Sequence, residues 1–124
     1  MRNQVEDHQK ELALDWLKQV GLEHHANSPL QQLSYGEQRL VLICRAMIKQ
    51  PALLILDEPC QGLDEPNRQL VLGFINILSQ QDTTTLLYVT HHQADLLPSF
   101  TKSLHCYDMS EQSGSLWRIS SSAT

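Results

Sequence analysis

Hydrophobic positions along this chain fall into two rhythms, one helical and one extended, and the alternation between them predicts the fold. From Tyr35 to Lys49, Leu40, Val41, Ile43, Cys44, Met47 and Ile48 recur three and four residues apart, the spacing of one helix face, and Pro51 stops the pattern. Leu53-Leu54-Ile55-Leu56 follows without a polar interruption, as in a parallel strand covered on both faces, until Asp57 and Glu58 end it. Asp64-Glu65-Pro66 then supplies a cap, an early acidic residue and a first-turn proline for a second helix carrying Leu70, Val71, Phe74, Ile75, Ile77 and Leu78. A second strand, Thr85 to Thr90, runs directly into His91 and His92.

Strand, helix and strand at this spacing predict a βαβ unit with parallel strands and a right-handed crossover, so the class is α/β. Before it, Val5 to Val20 places Leu12, Leu14, Trp16, Leu17 and Val20 at partly helical spacing, Gly21 closes that helix, and Leu22 to Gln32 reads as a loop. After it, Lys102 to Asp108 and Ser115 to Ser120 around Glu111-Gln112-Ser113-Gly114 predict a terminal hairpin with a serine-rich tail. Residues 1–32 are thus a helical lead-in and 33–92 the core of a single unit of 124 residues.

Composition narrows the partners. A net charge of -5, with nine Lys and Arg scattered along the chain, argues against direct binding of nucleic acid or of an anionic membrane surface. The three cysteines form no C-x-x-C pair, so neither a disulfide framework nor a zinc site is signalled, and a reducing cytoplasm is expected. The amino terminus lacks the apolar stretch of a signal peptide, and no run approaches the ~18 residues that span a bilayer, so direct membrane insertion is not expected.

In parallel sheets, functional groups gather at the carboxyl ends of the strands, where Asp57, Glu58 and His91 fall. Successive residues leaving a strand point apart, which suits Asp57 to a metal's water shell and Glu58 to a nucleophilic water. The plainer alternative is a solvated turn before Pro59. His91 could hold the attacking water or donate to a phosphate. His91 with His92, and His24 with His25, are adjacent on the chain and poorly placed to ligate one metal together.

The stretch LSYGEQ, Leu33 to Gln38, opens the first core helix. Ser34 and Glu37 fit the S-x-x-E capping box, which is sufficient reason for both. Gly36 inside the first turn costs up to ~1 kcal/mol in helix propensity and implies that something approaches the backbone closely. A helix amino end suits an anion such as phosphate.

LSYGEQRLVLICRA, LLILDEP, QGLD and VTHH, in this order, resemble the signature motif, Walker B strand, D-loop and switch histidine of the ATP-binding cassette (ABC) ATPases. The resemblance is strong from Leu33 to His92 and weak outside it. It implies a P-loop NTPase fold, ATP and Mg2+ as cofactors, Asp57 on magnesium, Glu58 as catalytic base and His91 on the terminal phosphate. It further implies that Ser34, Tyr35, Gly36 and Glu37 face the terminal phosphate of ATP held by a second nucleotide-binding domain, with Asp64 coupling the two sites. Tyr35 and Glu37 depart from the usual glycine and glutamine of that signature, and His92 stands where an acidic residue is common. These choices, with DEPCQGLD and NRQL, resemble the molybdate-associated members of the family.

No G-x-x-x-x-G-K-[ST] occurs in the chain, so the phosphate cradle and its lysine are absent from this sequence. The chain therefore resembles the carboxyl-terminal half of a cassette, a partial P-loop fold with a parallel βαβ core and a C-terminal β-hairpin. The expected partners are a second nucleotide-binding domain or the missing P-loop half, and a membrane permease subunit that would hold the chain at the inner membrane. ATP hydrolysis is expected only when a P-loop is supplied. A non-catalytic interaction or regulatory module of the same ancestry is the alternative. A chromosome-type ATPase would need a heptad-bearing arm, and no such repeat is present.

Overall fold

The computed structural model describes residues 4–108 and 115–121. The first helix, α1, spans Gln4–Gln19. Gly21, with φ of 73°, terminates it. The Gly21 N–H bonds Lys18 O at 3.1 Å and the Leu22 N–H bonds Leu17 O at 2.7 Å, a Schellman closure that needs the left-handed residue glycine supplies. Trp16, Leu17 and Val20 pack on the core, whereas Leu14, expected on the same face, is half exposed. The predicted loop contains two short 3-10 turns, Glu23–His25 and Leu30–Gln32, and buries Leu22.

The two core helices are α2, Tyr35–Met47, and α3, Glu65–Ser79. Leu40, Ile43, Cys44 and Met47 on α2 are buried against Val71, Phe74, Ile75 and Leu78 on α3, each set spaced i, i+3, i+4, i+7. Trp16 of α1 closes the end of this layer edge-on to Phe74, with ring centroids 5.9 Å apart.

Strands β1, Leu53–Asp57, and β2, Thr85–Val89, pair in parallel with Leu54 opposite Leu86 and Leu56 opposite Tyr88. Those four side chains face the helices. The other face of the pair holds Leu53, Ile55, Leu87 and Val89, which are 52%, 57%, 45% and 43% exposed. The expectation that β1 is covered on both faces is therefore corrected: an unbroken apolar run is present, but only alternate residues are buried. No further strand flanks the pair among the described residues, so each strand has one unpaired edge.

A second, antiparallel sheet joins β3, Lys102–Asp108, to β4, Ser115–Ser121, in the register Lys102 to Ser121 through Asp108 to Ser115. This is the expected hairpin. Its turn and the serine-rich tail lie outside the described residues.

Candidate functional site at the carboxyl rim of the parallel pair

The chain leaves β1 through a strained turn. Glu58 has φ of 47°, a left-handed conformation uncommon for any residue but glycine. Such a residue costs on the order of 1–3 kcal/mol and persists where its surroundings over-determine it. Here they do: the Glu58 N–H bonds Val89 O at 2.8 Å, extending the sheet one residue beyond β1. The Gln61 N–H then returns to Glu58 O at 3.1 Å, and Gly62, with φ of 79°, turns the chain towards α3.

The twist aims the Glu58 carboxylate across the pair at the end of β2. Its Oε1 accepts the His91 N–H at 3.0 Å and lies in direct contact with His91 Nδ1. Oε2 is 3.4 Å from Thr90 Oγ1, a hydroxyl that also receives the His92 N–H at 3.0 Å. Burial by itself would push the Glu58 carboxyl up, but the hydrogen bonds from the His91 ring and backbone outweigh it and hold the carboxyl below the usual glutamate range. Glu58 is thus an ionised carboxylate accepting hydrogen bonds from His91 and Thr90, 18% exposed beside a 70% exposed imidazole.

Asp57, one residue earlier, is exposed on the open face of the sheet with Leu53 and Ile55. Adjacent carboxylates therefore diverge, and Asp57 does not join Glu58 in any cluster of three or more metal-ligating side chains among the described residues. One exposed carboxylate fits a magnesium ion that takes its remaining ligands from phosphate and water.

The α2 amino end is built as a complete capping box. The Glu37 N–H bonds Ser34 Oγ at 3.1 Å and the Ser34 N–H bonds Glu37 Oε1 at 2.9 Å. Hydrogen bonding from the Ser34 N–H lowers the Glu37 carboxyl, burial opposes this, and the Ser34 hydroxyl adds to it. Tyr35 projects outward, 73% exposed.

Gly36 is explained by a side chain that sequence reasoning missed. Asn67 Oδ1 accepts the Gly36 N–H at 3.2 Å and the Ser34 hydroxyl at 2.9 Å. A Cβ at Gly36 would lie 2.5 Å from that oxygen and 3.0 Å from the Asn67 Cα. The close approach inferred from this glycine is real, but the approaching group is Asn67 of the same chain, so the glycine by itself is not a phosphate signal. Asp64, the α3 cap, accepts from the Asn67 backbone at 3.1 Å and from its amide at 2.7 Å, which ties Asp64 to the LSYGEQ turn.

Two arginines complete the frame. Arg39 Nη1 and Nη2 donate to Pro59 O at 2.8 Å and Gln61 O at 3.0 Å, pinning the turn after Glu58 to α2. Arg68 Nε donates to buried Asp95 at 2.6 Å, and its Nη2 to Ala94 O at 2.9 Å, fixing the segment after His92 to α3. The structure thus joins Glu58 with His91 at one point and Ser34, Gly36 and Asp64 at another, while Asp57 is hydrogen-bonded to neither group. His92 also enters the Glu58 group: the ligating atoms of Glu58, His91 and His92 all lie within 4.8 Å of one another. The adjacent histidines, expected from their spacing to be poorly placed to share a metal, are both brought beside Glu58 by the bend after Thr90.

A family model described as ABC transporter matches residues 1–61. That match includes the lead-in, where the sequence carries no recognised motif. The chain is 49% identical over 92 residues, 73% of its length, to the ABC transporter ATP-binding protein ModF of Escherichia coli (strain K12), covering 19% of that protein. It is 39% identical over 94 residues, 76% of its length, to the zinc import ATP-binding protein ZnuC of Pseudomonas fluorescens (strain Pf0-1), covering 36% of it. Among solved structures, a metal-chelate type ABC transporter in an inward-facing conformation aligns with a TM-score of 0.68 and 32% identity over 76% of this chain and 38% of the other. The chain spans well under half the length of these relatives. No described helix is long and apolar enough to cross a membrane.

Proposed function

The chain belongs to the ABC ATPase family, and on that premise we propose that it supplies the carboxyl-terminal part of an ATP-hydrolysing subunit that depends on a P-loop carried elsewhere. The observation that carries this reading is the Glu58 carboxylate, held ionised by His91 at the carboxyl rim of a parallel pair. In that place Glu58 takes a proton from an attacking water and His91 stands beside the terminal phosphate. Asp57, directed away from Glu58, contributes one oxygen ligand to Mg2+. Ser34 and Gly36, with Tyr35 and Glu37 around them, meet the phosphate of ATP held by a second domain, and Asp64 links that contact to α3 through Asn67.

Neither the carboxyl rim nor the α2 amino end supplies a phosphate cradle. The Glu37 and Gly36 N–H groups already have partners in Ser34 and Asn67, so ATP must be gripped by another segment before these residues act. The exposed apolar face of β1 and β2 supports the same dependence, because Leu53, Ile55, Leu87 and Val89 fit burial against further protein. A cytoplasmic position at the inner membrane, through a permease, follows from the same family role. For cargo, the finer reading is a molybdate-type transporter, supported by the DEPCQGLD and double-histidine resemblance. Relatives named for spermidine/putrescine and zinc import match at 39% identity each, so overall similarity by itself does not select the cargo.

The test is equilibrium binding of labelled ATP to the chain with Mg2+, then hydrolysis after a P-loop-bearing segment of a relative is added. Weak binding alone, and hydrolysis on mixing that Glu58→Gln abolishes, is the expected result. Tight binding by the chain alone overturns the dependence on a second segment. A non-catalytic docking module is favoured by one observation, the satisfaction of Ser34 and Gly36 within the chain. That reading gives stable association with the P-loop segment and no hydrolysis.

A further inference from the structure

We infer that Glu58, His91 and His92 form a binding site for a borderline divalent transition metal of the zinc, nickel and copper class. Glu58 offers a carboxylate oxygen, the two histidines offer imidazole nitrogens, and the three ligating atoms lie within 4.8 Å of one another. Tetrahedral zinc, with bonds of roughly 2.0–2.1 Å, holds neighbouring ligands about 3.4 Å apart. Glu58 Oε1 and His91 Nδ1 share a hydrogen bond; a metal ion replaces its proton, which leaves to solvent, and spreads the two atoms to ligand spacing, and the His92 ring then closes in as the third ligand. That movement is open to it: His92 is exposed, and its ring lies beside that of His91 with centroids 4.0 Å apart.

The backbone at the three ligands is held by hydrogen bonds, while the His92 ring is exposed to solvent. The His92 N–H is anchored on Thr90 Oγ1 at 3.0 Å, the same hydroxyl that lies against the second Glu58 oxygen, and the Glu58 N–H is anchored on Val89 O at 2.8 Å. These bonds are the outer support that orients first ligands in a metal site. Two imidazoles and one carboxylate select zinc, nickel or copper over magnesium, which prefers oxygen ligands and octahedral geometry. The site is therefore separate in chemistry from the Mg2+ assigned to Asp57. The second histidine pair is a natural control, since His24 and His25 lie with ring centroids 4.1 Å apart but join no such cluster among the described residues. If Glu58 is the catalytic base, a consequence that rests on the functional reading above, a metal here withdraws it from hydrolysis.

The experiment titrates the full chain with Co2+, followed by its visible d–d absorption, and then displaces Co2+ with Zn2+. One equivalent is expected to bind with a spectrum free of thiolate charge-transfer bands, which separates the site from the cysteines. His92→Ala and, as a second variant at this exposed position, His92→Gln are each expected to weaken binding at least tenfold, and Glu58→Gln likewise. The double variant His24→Ala/His25→Ala is expected to leave binding unchanged. Unaltered affinity in both His92 variants, or loss of binding only in the His24/His25 variant, overturns the site. None of these readouts depends on ATP hydrolysis.

Discussion

The two faces of the β1–β2 pair are nearly equal in composition and opposite in fate. Leu54, Leu56, Leu86 and Tyr88 look onto α2 and α3 and share their core, while Leu53, Ile55, Leu87 and Val89 look onto solvent. Burying a side chain of this size is worth about 1.5–3 kcal/mol, and that gain is realised on one face only. Under the proposed dependence on a second segment, this open apolar face is where further protein would pack, and the catalytic candidates sit at the end of that same pair.

Substitution on each side gives the largest contrast. Ile75, fully buried between the helices, is expected to cost about 2–5 kcal/mol when changed to Ala. Ile55→Ala is expected to stay within about 0.5 kcal/mol in the chain alone. Urea unfolding of both variants measures the difference, and an equally large loss at Ile55 would mean that the outer face is covered in solution. Sedimentation sharpens the same contrast. The open face and unpaired edges are expected to drive concentration-dependent self-association that Ile55→Lys with Leu87→Glu suppresses. Purely monomeric behaviour of the parent chain would break the comparison.

Gly36→Ala is next in size. The new Cβ meets Asn67 at 2.5 Å from its side-chain oxygen and 3.0 Å from its Cα, so the start of α3 must shift. Overpacking of this kind costs about 1–3 kcal/mol. Adding Asn67→Ala removes the nearer contact and should return part of the loss. A double-mutant cycle by denaturant unfolding checks this, and strict additivity would mean that Gly36 is needed for another reason.

The difference between faces also explains what could be read in advance. The spacings of Leu40 to Met47 and Val71 to Leu78 report helix burial directly, because each side chain's position follows from its number. The cap at Asp64 and the stop at Gly21 are likewise local chemistry. A strand run such as LLIL carries no record of whether its second face has a neighbour, so its one-sided burial is not legible in the sequence. At the site, the meeting of Glu58 with His91 follows from the rule for parallel strands. Asn67 and Arg39 were not legible, since each is a polar side chain reaching partners far along the chain without periodicity to mark it. The positive φ of Glu58 was hidden for the same reason: no glycine announced it.

The smallest expected effect is at the α2 cap, where the fold meets the candidate phosphate contact. Ser34→Ala should cost about 1 kcal/mol of stability, the usual worth of a capping hydroxyl. Glu37→Gln should cost a few tenths, about 0.3–0.5 kcal/mol, for a carboxylate near a helix amino end after allowance for solvent screening. Its pH dependence is the sharper reading. The Ser34 N–H bond lowers the Glu37 carboxyl in the folded chain, so its contribution is fully present above the unfolded value and is lost as pH falls through the folded one. The stability gap between the parent and Glu37→Gln should therefore be constant near neutrality and close in acid. Chemical denaturation across that range measures it, and a gap that widens as pH falls would show that Glu37 is not held by Ser34 in solution.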